Sequence, residues 1–133
     1  MSIDKDYSQE LIKLFLPTGI FDFFEIINIQ IETESVNVFL DEINMIPPEL
    51  SHEKLTSKGF HEIAIIQDFP IRKKAVYLHV RRRRWHVESS NKIISRDWNM
   101  VAKGTRFTSE FATFLKGLFG HLPDKFYQFR EIL

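Results

Sequence analysis

Between Glu25 and Asp41 the apolar residues recur at every second position, first Ile27, Ile29 and Ile31, then Val36, Val38 and Leu40. Asn28, Gln30 and Glu32 alternate with the first run, and Asn37, Phe39 and Asp41 with the second. A two-residue period belongs to a strand with one buried face. Two such runs around the polar Thr33-Glu34-Ser35 make a β-hairpin. The rest of the chain must therefore complete a sheet.

His61 to Gln67 alternates again and reads as a strand returning to that sheet. Ala75 to His86 is the longest strand candidate, with Ile93 to Trp98 as its partner across the turn Glu88-Ser89-Ser90-Asn91-Lys92. Residues 44–60 read as a loop, because Pro47-Pro48 forbids a central strand and Lys58-Gly59 is a turn signal. Helical spacing flanks the strands. Leu11, Leu14 and Phe15 share a face over Tyr7 to Leu16, where Ser8 can cap the start and Pro17 stops the helix. Pro17 and Thr18 are placed to open a second short turn through Phe24. Thr108 can cap a C-terminal helix whose stripe is Phe111, Phe114, Leu115 and Leu118, with Gly120 as its stop. The tail from Asp124 reads as one or two further helical turns.

The expectation is an α+β fold: an antiparallel sheet built from hairpins, with an N-terminal helix and a C-terminal helix packed on it. A chain of 133 residues, 44% hydrophobic and with 13 phenylalanines, can bury one core, so residues 1–133 read as a single domain. With no cysteine there is no disulfide scaffold, no thiolate nucleophile and no Cys-ligated zinc. The acidic, polar first residues read as neither a signal nor a transit peptide, and no apolar run approaches the roughly 20 residues of a membrane helix. A cytoplasmic protein is expected.

The formal net charge of zero hides a division. Residues 1–71 hold 4 Lys/Arg against 13 Asp/Glu, a balance of −9; residues 72–106 hold 11 against 2, a balance of +9; residues 107–133 are neutral. Such asymmetry points to a polyanion, or to pairing between the two halves. The centre of the basic segment is Arg81-Arg82-Arg83-Arg84-Trp85-His86. By strand period Val76, Leu78 and Val80 share a face that continues into Arg82 and Arg84. The opposite face carries Tyr77, His79, Arg81, Arg83 and Trp85. Both faces turn cationic after Val80, as in a strand that leaves its sheet for solvent or a ligand. The expected DNA-binding residues are Arg81, Arg82, Arg83, Arg84, Trp85, Lys92, Arg96, Lys103 and Arg106. Guanidinium groups bind phosphate in bidentate fashion and an aromatic ring can stack on a base. The rival reading is a solvated hairpin whose arginines pair with the acidic half, and a nuclear-localisation tag is a third.

No phosphate-binding glycine loop and no nucleophile elbow occurs, and the five histidines show no metal-ligand spacing. Neither a catalytic residue, a metal nor a cofactor is expected.

The words Ser57-Lys58-Gly59-Phe60, Gln67-Asp68-Phe69-Pro70-Ile71-Arg72, Leu78-His79-Val80 with Arg81 to Trp85, Arg96-Asp97-Trp98, Val101 to Arg106, and Thr108 with Glu110-Phe111 occur in that order. In this order they closely resemble the N-terminal region of ISAon-type insertion-sequence transposases. The resemblance implies a transposase accessory segment that contacts the element's terminal-repeat DNA and works with a catalytic transposase subunit; it leaves room for a homodimer. The family's acidic triad matches no residue here, which implies that a separate chain supplies the strand-transfer chemistry. A related group carries a zinc ribbon at a comparable place, so the Glu88–Lys92 turn would stand where a zinc knuckle lies, without metal.

Overall fold

The computed structural model describes residues 7–46, 48–96, 101 and 105–120. Helix α1 spans Ser8–Phe15 and ends because Leu16, held extended before Pro17, cannot continue it. Its N-cap position is Tyr7 rather than Ser8, and no side chain caps it. Leu11, Leu14 and Phe15 stay half exposed or more, whereas Leu16 and a 3₁₀ turn at Ile20–Asp22 reach the core. The short turn expected after Pro17 is therefore present.

Strands β1 (Phe24–Ile31) and β2 (Ser35–Glu42) form the expected hairpin, pairing Ile26 with Leu40, Ile29 with Val38 and Ile31 with Val36. A bulge at Ile27 interrupts the register. Strands β4 (Ala64–Ile71) and β5 (Lys74–Arg81) form a second hairpin. The two hairpins join side by side in the order β1-β2-β5-β4, and β2 runs parallel to β5 from Ser35↔Ala75 to Asp41↔Arg81. The sheet is thus mixed, since both of its hairpins are antiparallel but their junction is not. Parallel neighbours need a long crossover, which residues 43–73 provide.

That crossover contains β3 (Leu55–Phe60), inside the stretch expected to be a loop. The proline pair precedes it and leaves its donors free. Gly59, at φ 79°, takes the left-handed conformation at an irregularity between Ser57 and Phe60, where a side chain would be disfavoured. β3 pairs with β6 (Arg83–Val87), which pairs with β7 (Lys92–Ile94), making a second, three-stranded sheet. The long strand expected over residues 75–86 is therefore two strands in two sheets.

Even-numbered side chains Val76, Leu78 and Val80 are buried in the first sheet with Val38, Leu40, Ile66, Phe24 and Ile20. In β6 the buried positions are odd, Trp85 and Val87, packed with Leu55. Arg82 belongs to neither strand, and the core positions change from even in β5 to odd in β6.

The opposite face of the first sheet carries helix α2 (Ser109–Phe119), whose Phe111 and Leu115 pack on Ala75, Phe69 and Tyr77. Phe114 and Leu118, expected in the same stripe, remain 39% and 44% exposed. Gly120 closes the helix with φ 78°, its N–H donating to the Lys116 carbonyl at 2.8 Å. At the start, Thr108 Oγ1 accepts from the Phe111 N–H at 3.4 Å and donates to Asp68 Oδ1 at 2.8 Å. The Gln67 N–H donates to the Arg106 carbonyl and the Thr108 N–H to the Gln67 carbonyl, so residues 106–108 extend the β4 edge.

Burial pushes the Asp68 carboxyl above its usual range, opposed by the Thr108 hydroxyl and the Phe69 amide and reinforced by Glu110. A raised carboxyl stabilises the fold most below its unfolded value, near 4, and loses that contribution as pH rises through the folded value. Asp68→Asn, which keeps an acceptor for Thr108, should melt at least as high as the parent at pH 7 and flatten the decline above pH 4. Thr108→Ala should cost about 1–2 kcal/mol in denaturant titrations, through the lost cap and the stranded carboxylate.

Candidate nucleic-acid interface

The four arginines fall where the chain passes from β5 to β6, and they divide by position. Arg81 Nε donates to Asp41 Oδ1 at 2.7 Å and its Nη2 to Asp41 Oδ2, a bidentate pair across the parallel strands. The bond to Asp41 holds the Arg81 guanidinium pKa above its ordinary value, against a smaller opposing effect of burial. Arg83 donates its backbone N–H to Glu42 Oε1 at 3.0 Å, Nε to the Glu42 carbonyl at 2.9 Å and Nη1 to Ser57 Oγ at 2.9 Å. Both guanidinium groups lie over the Phe60 ring, 4.2 Å and 4.6 Å from its centroid. Asp41 and Glu42 are only 8% and 2% exposed. Arg81 and Arg83 thus join the two sheets through the acidic half, as the pairing reading expected for the run as a whole.

Arg82 and Arg84 differ. Arg82 lends its carbonyl to the His61 N–H at 2.8 Å and leaves its half-buried side chain without an ion pair among the described residues. Arg84 is exposed on the outer face of the three-stranded sheet, where its neighbour His86 bonds Asn91 Oδ1 at 2.6 Å. Thr56 pairs with His86 and Ser57 with Trp85, and the register shifts before Phe60 pairs with Arg83, so Lys58 and Arg84 both fall in the irregular stretch. Lys58 is exposed as well.

The other expected contacts scatter. Trp85 is 1% exposed and belongs to the core of the small sheet; it is no stacking platform. Lys92 is exposed beside the turn, opposite Val87. Arg96 lies over the Phe23 ring at 4.5 Å. Arg106 is exposed at the β4 edge, in the other sheet. Lys103 and Trp98 lie outside the described residues. The hairpin tip is Glu88 to Asn91, with Asn91 at φ 57°, and the arginines sit at its base. Lys58 lies in β3, within residues whose prolines and Lys58-Gly59 signal read as a loop, so the sequence carries no mark of it as a surface cation of a sheet.

Among the described residues no three metal-ligating side chains cluster, and no helix is long and apolar enough to cross a membrane. No family model matches the chain, nor does any curated protein or solved structure.

The division of the run has a measurable consequence. Arg81→Ala leaves Asp41 buried without its partner and should lower stability by about 2 kcal/mol, whereas Arg84→Ala should stay within about 0.5 kcal/mol of the parent. Urea unfolding of the two variants checks this. Equal losses would mean that the pair at Asp41 does not hold the junction.

Proposed function

We propose that this chain is a non-catalytic, cytoplasmic DNA-binding module of an insertion-sequence transposase. It contacts terminal-repeat DNA through the outer face of its three-stranded sheet and works beside a catalytic subunit that carries the acidic triad. The observation that carries the reading is the two exposed cations Lys58 and Arg84, both on the irregular stretch where β3 meets β6 and without an ion-pair partner among the described residues. Arg82 lies two residues before Arg84 at the junction, whereas Lys92, opposite Val87, belongs to the other face of the small sheet. Phosphate contact by such a patch needs no particular base, and a short antiparallel ribbon suits the major groove. The resemblance of the ordered words to the N-terminal region of ISAon-type transposases supplies the biological setting.

Electrophoretic mobility and anisotropy against terminal-repeat duplex test the reading. Binding should weaken with salt, with log K falling by about 0.9 per phosphate neutralised against log salt. Replacing Lys58, Arg82 and Arg84 with alanine should reduce that slope by about 3. A parent protein that binds no duplex at low salt, or a triple variant that binds as tightly as the parent, removes the proposal.

A second reading, a module that docks the catalytic subunit, draws on the internal pairing of Arg81 and on the exposed β1 side chains Ile27, Ile29 and Ile31. Co-purification with that subunit by a chain that fails to bind DNA would favour it.

A further inference from the structure

The two-residue turn between β4 and β5 is Arg72-Lys73, and both residues have positive φ, 51° and 66°. That geometry ordinarily selects Asn-Gly, which tolerates it at little steric cost. Two long cationic side chains occupy it instead. They border an open pocket of about 540 Å³ whose other walls are Phe69, Pro70 and Phe114. The Phe69 and Phe114 rings stand 5.5 Å apart and tilted by 59°, and Phe114 keeps 39% of its surface exposed although its helix packs on the sheet. Among the described residues neither Arg72 nor Lys73 forms an ion pair. Lys74, next along, is held by the Glu32 and Thr33 carbonyls, so the turn is anchored while its two central side chains are not. Asp68 and Glu110 line a separate, smaller pocket that shares the Phe69-Pro70 wall.

We propose that this pocket takes one unpaired nucleotide of a DNA strand, its base against Phe114 and its phosphate on Arg72 and Lys73. Cations supply the phosphate contact, an exposed ring supplies a face that any base can stack on, and the volume lies in the range of small-ligand sites. The inference rests on the DNA-binding reading but places a second contact in the other sheet, at a turn the arginine run does not touch.

The probe is a fluorescein-labelled single-stranded oligothymidylate, measured by anisotropy beside an abasic strand of equal length and a blunt duplex. Phe114→Ala should weaken oligothymidylate binding about tenfold and leave the abasic strand and the duplex unchanged, and Phe114→Trp should restore it. The double change Arg72→Asn with Lys73→Gly, which suits the turn and so keeps the fold, should weaken both single strands. Oligothymidylate binding that ignores Phe114→Ala, or an abasic strand that loses as much, overturns the proposal. So does a pocket that binds an acidic, aromatic peptide in preference to the strand. Duplex binding that depends on Lys58 and Arg84 while these pocket variants change nothing defeats this inference alone. A parent that binds neither strand nor duplex defeats both readings.

Discussion

The hold of Arg81 and Arg83 on the end of β2 is the interaction on which the two-sheet arrangement depends. One continuous stretch of chain serves the four-stranded sheet up to Arg81 and the three-stranded sheet from Arg83. At that point Asp41 and Glu42 are almost fully buried. Carboxylates removed from water are costly unless paired and hydrogen-bonded, and here the Arg81 guanidinium meets Asp41 and the Arg83 backbone N–H meets Glu42, while the Arg83 side chain holds the Glu42 carbonyl. Phe60 brings β3 under both guanidinium groups, so the small sheet is attached through the same charges. Hydrophobic contact alone would not choose where one sheet ends and the next begins.

This arrangement makes the arginine run two things at once. Alternate members are drawn inward to the acidic half, while Arg82 and Arg84 form no ion pair among the described residues. Of the nine residues expected at an interface, Arg84, Lys92 and Arg106 are exposed among the described residues, and Lys58 is a further exposed cation, from a strand with no legible signal. A separate cationic site at Arg72 and Lys73 belongs to the other end of β5. Charge excess over residues 72–106 therefore spreads over distinct surfaces.

The other buried carboxylate has no cation among its described partners. Asp68 takes the Thr108 hydroxyl while that hydroxyl caps α2, so a single side chain ties the β4 edge to the start of the helix. The position of Phe114 beside the β4–β5 turn follows from this anchor and from the Phe111 and Leu115 contacts with the sheet. Packing by the helix and access to the pocket are thus linked through one N-cap.

Much of the local structure was legible. The β1–β2 hairpin, the turn at 88–91, the Thr108 cap and the Gly120 stop all follow from interactions between residues close in the chain, which composition and spacing report directly. The sequence by itself determined that strands would pair as hairpins, with a helix at each end, and that cations would gather between residues 72 and 106. Tertiary structure alone decided that the hairpins meet in parallel, that β3 forms beyond the prolines, and that the large core takes Val76, Leu78 and Val80 from β5 while the small one takes Trp85 and Val87 from β6. It also decided that Trp85 is core and that Arg81 pairs with Asp41. The reason is physical: a two-residue period distinguishes two faces without saying which will be covered. Whether a charge is exposed or paired depends on a partner some 40 residues away, and spacing along the chain carries no record of it.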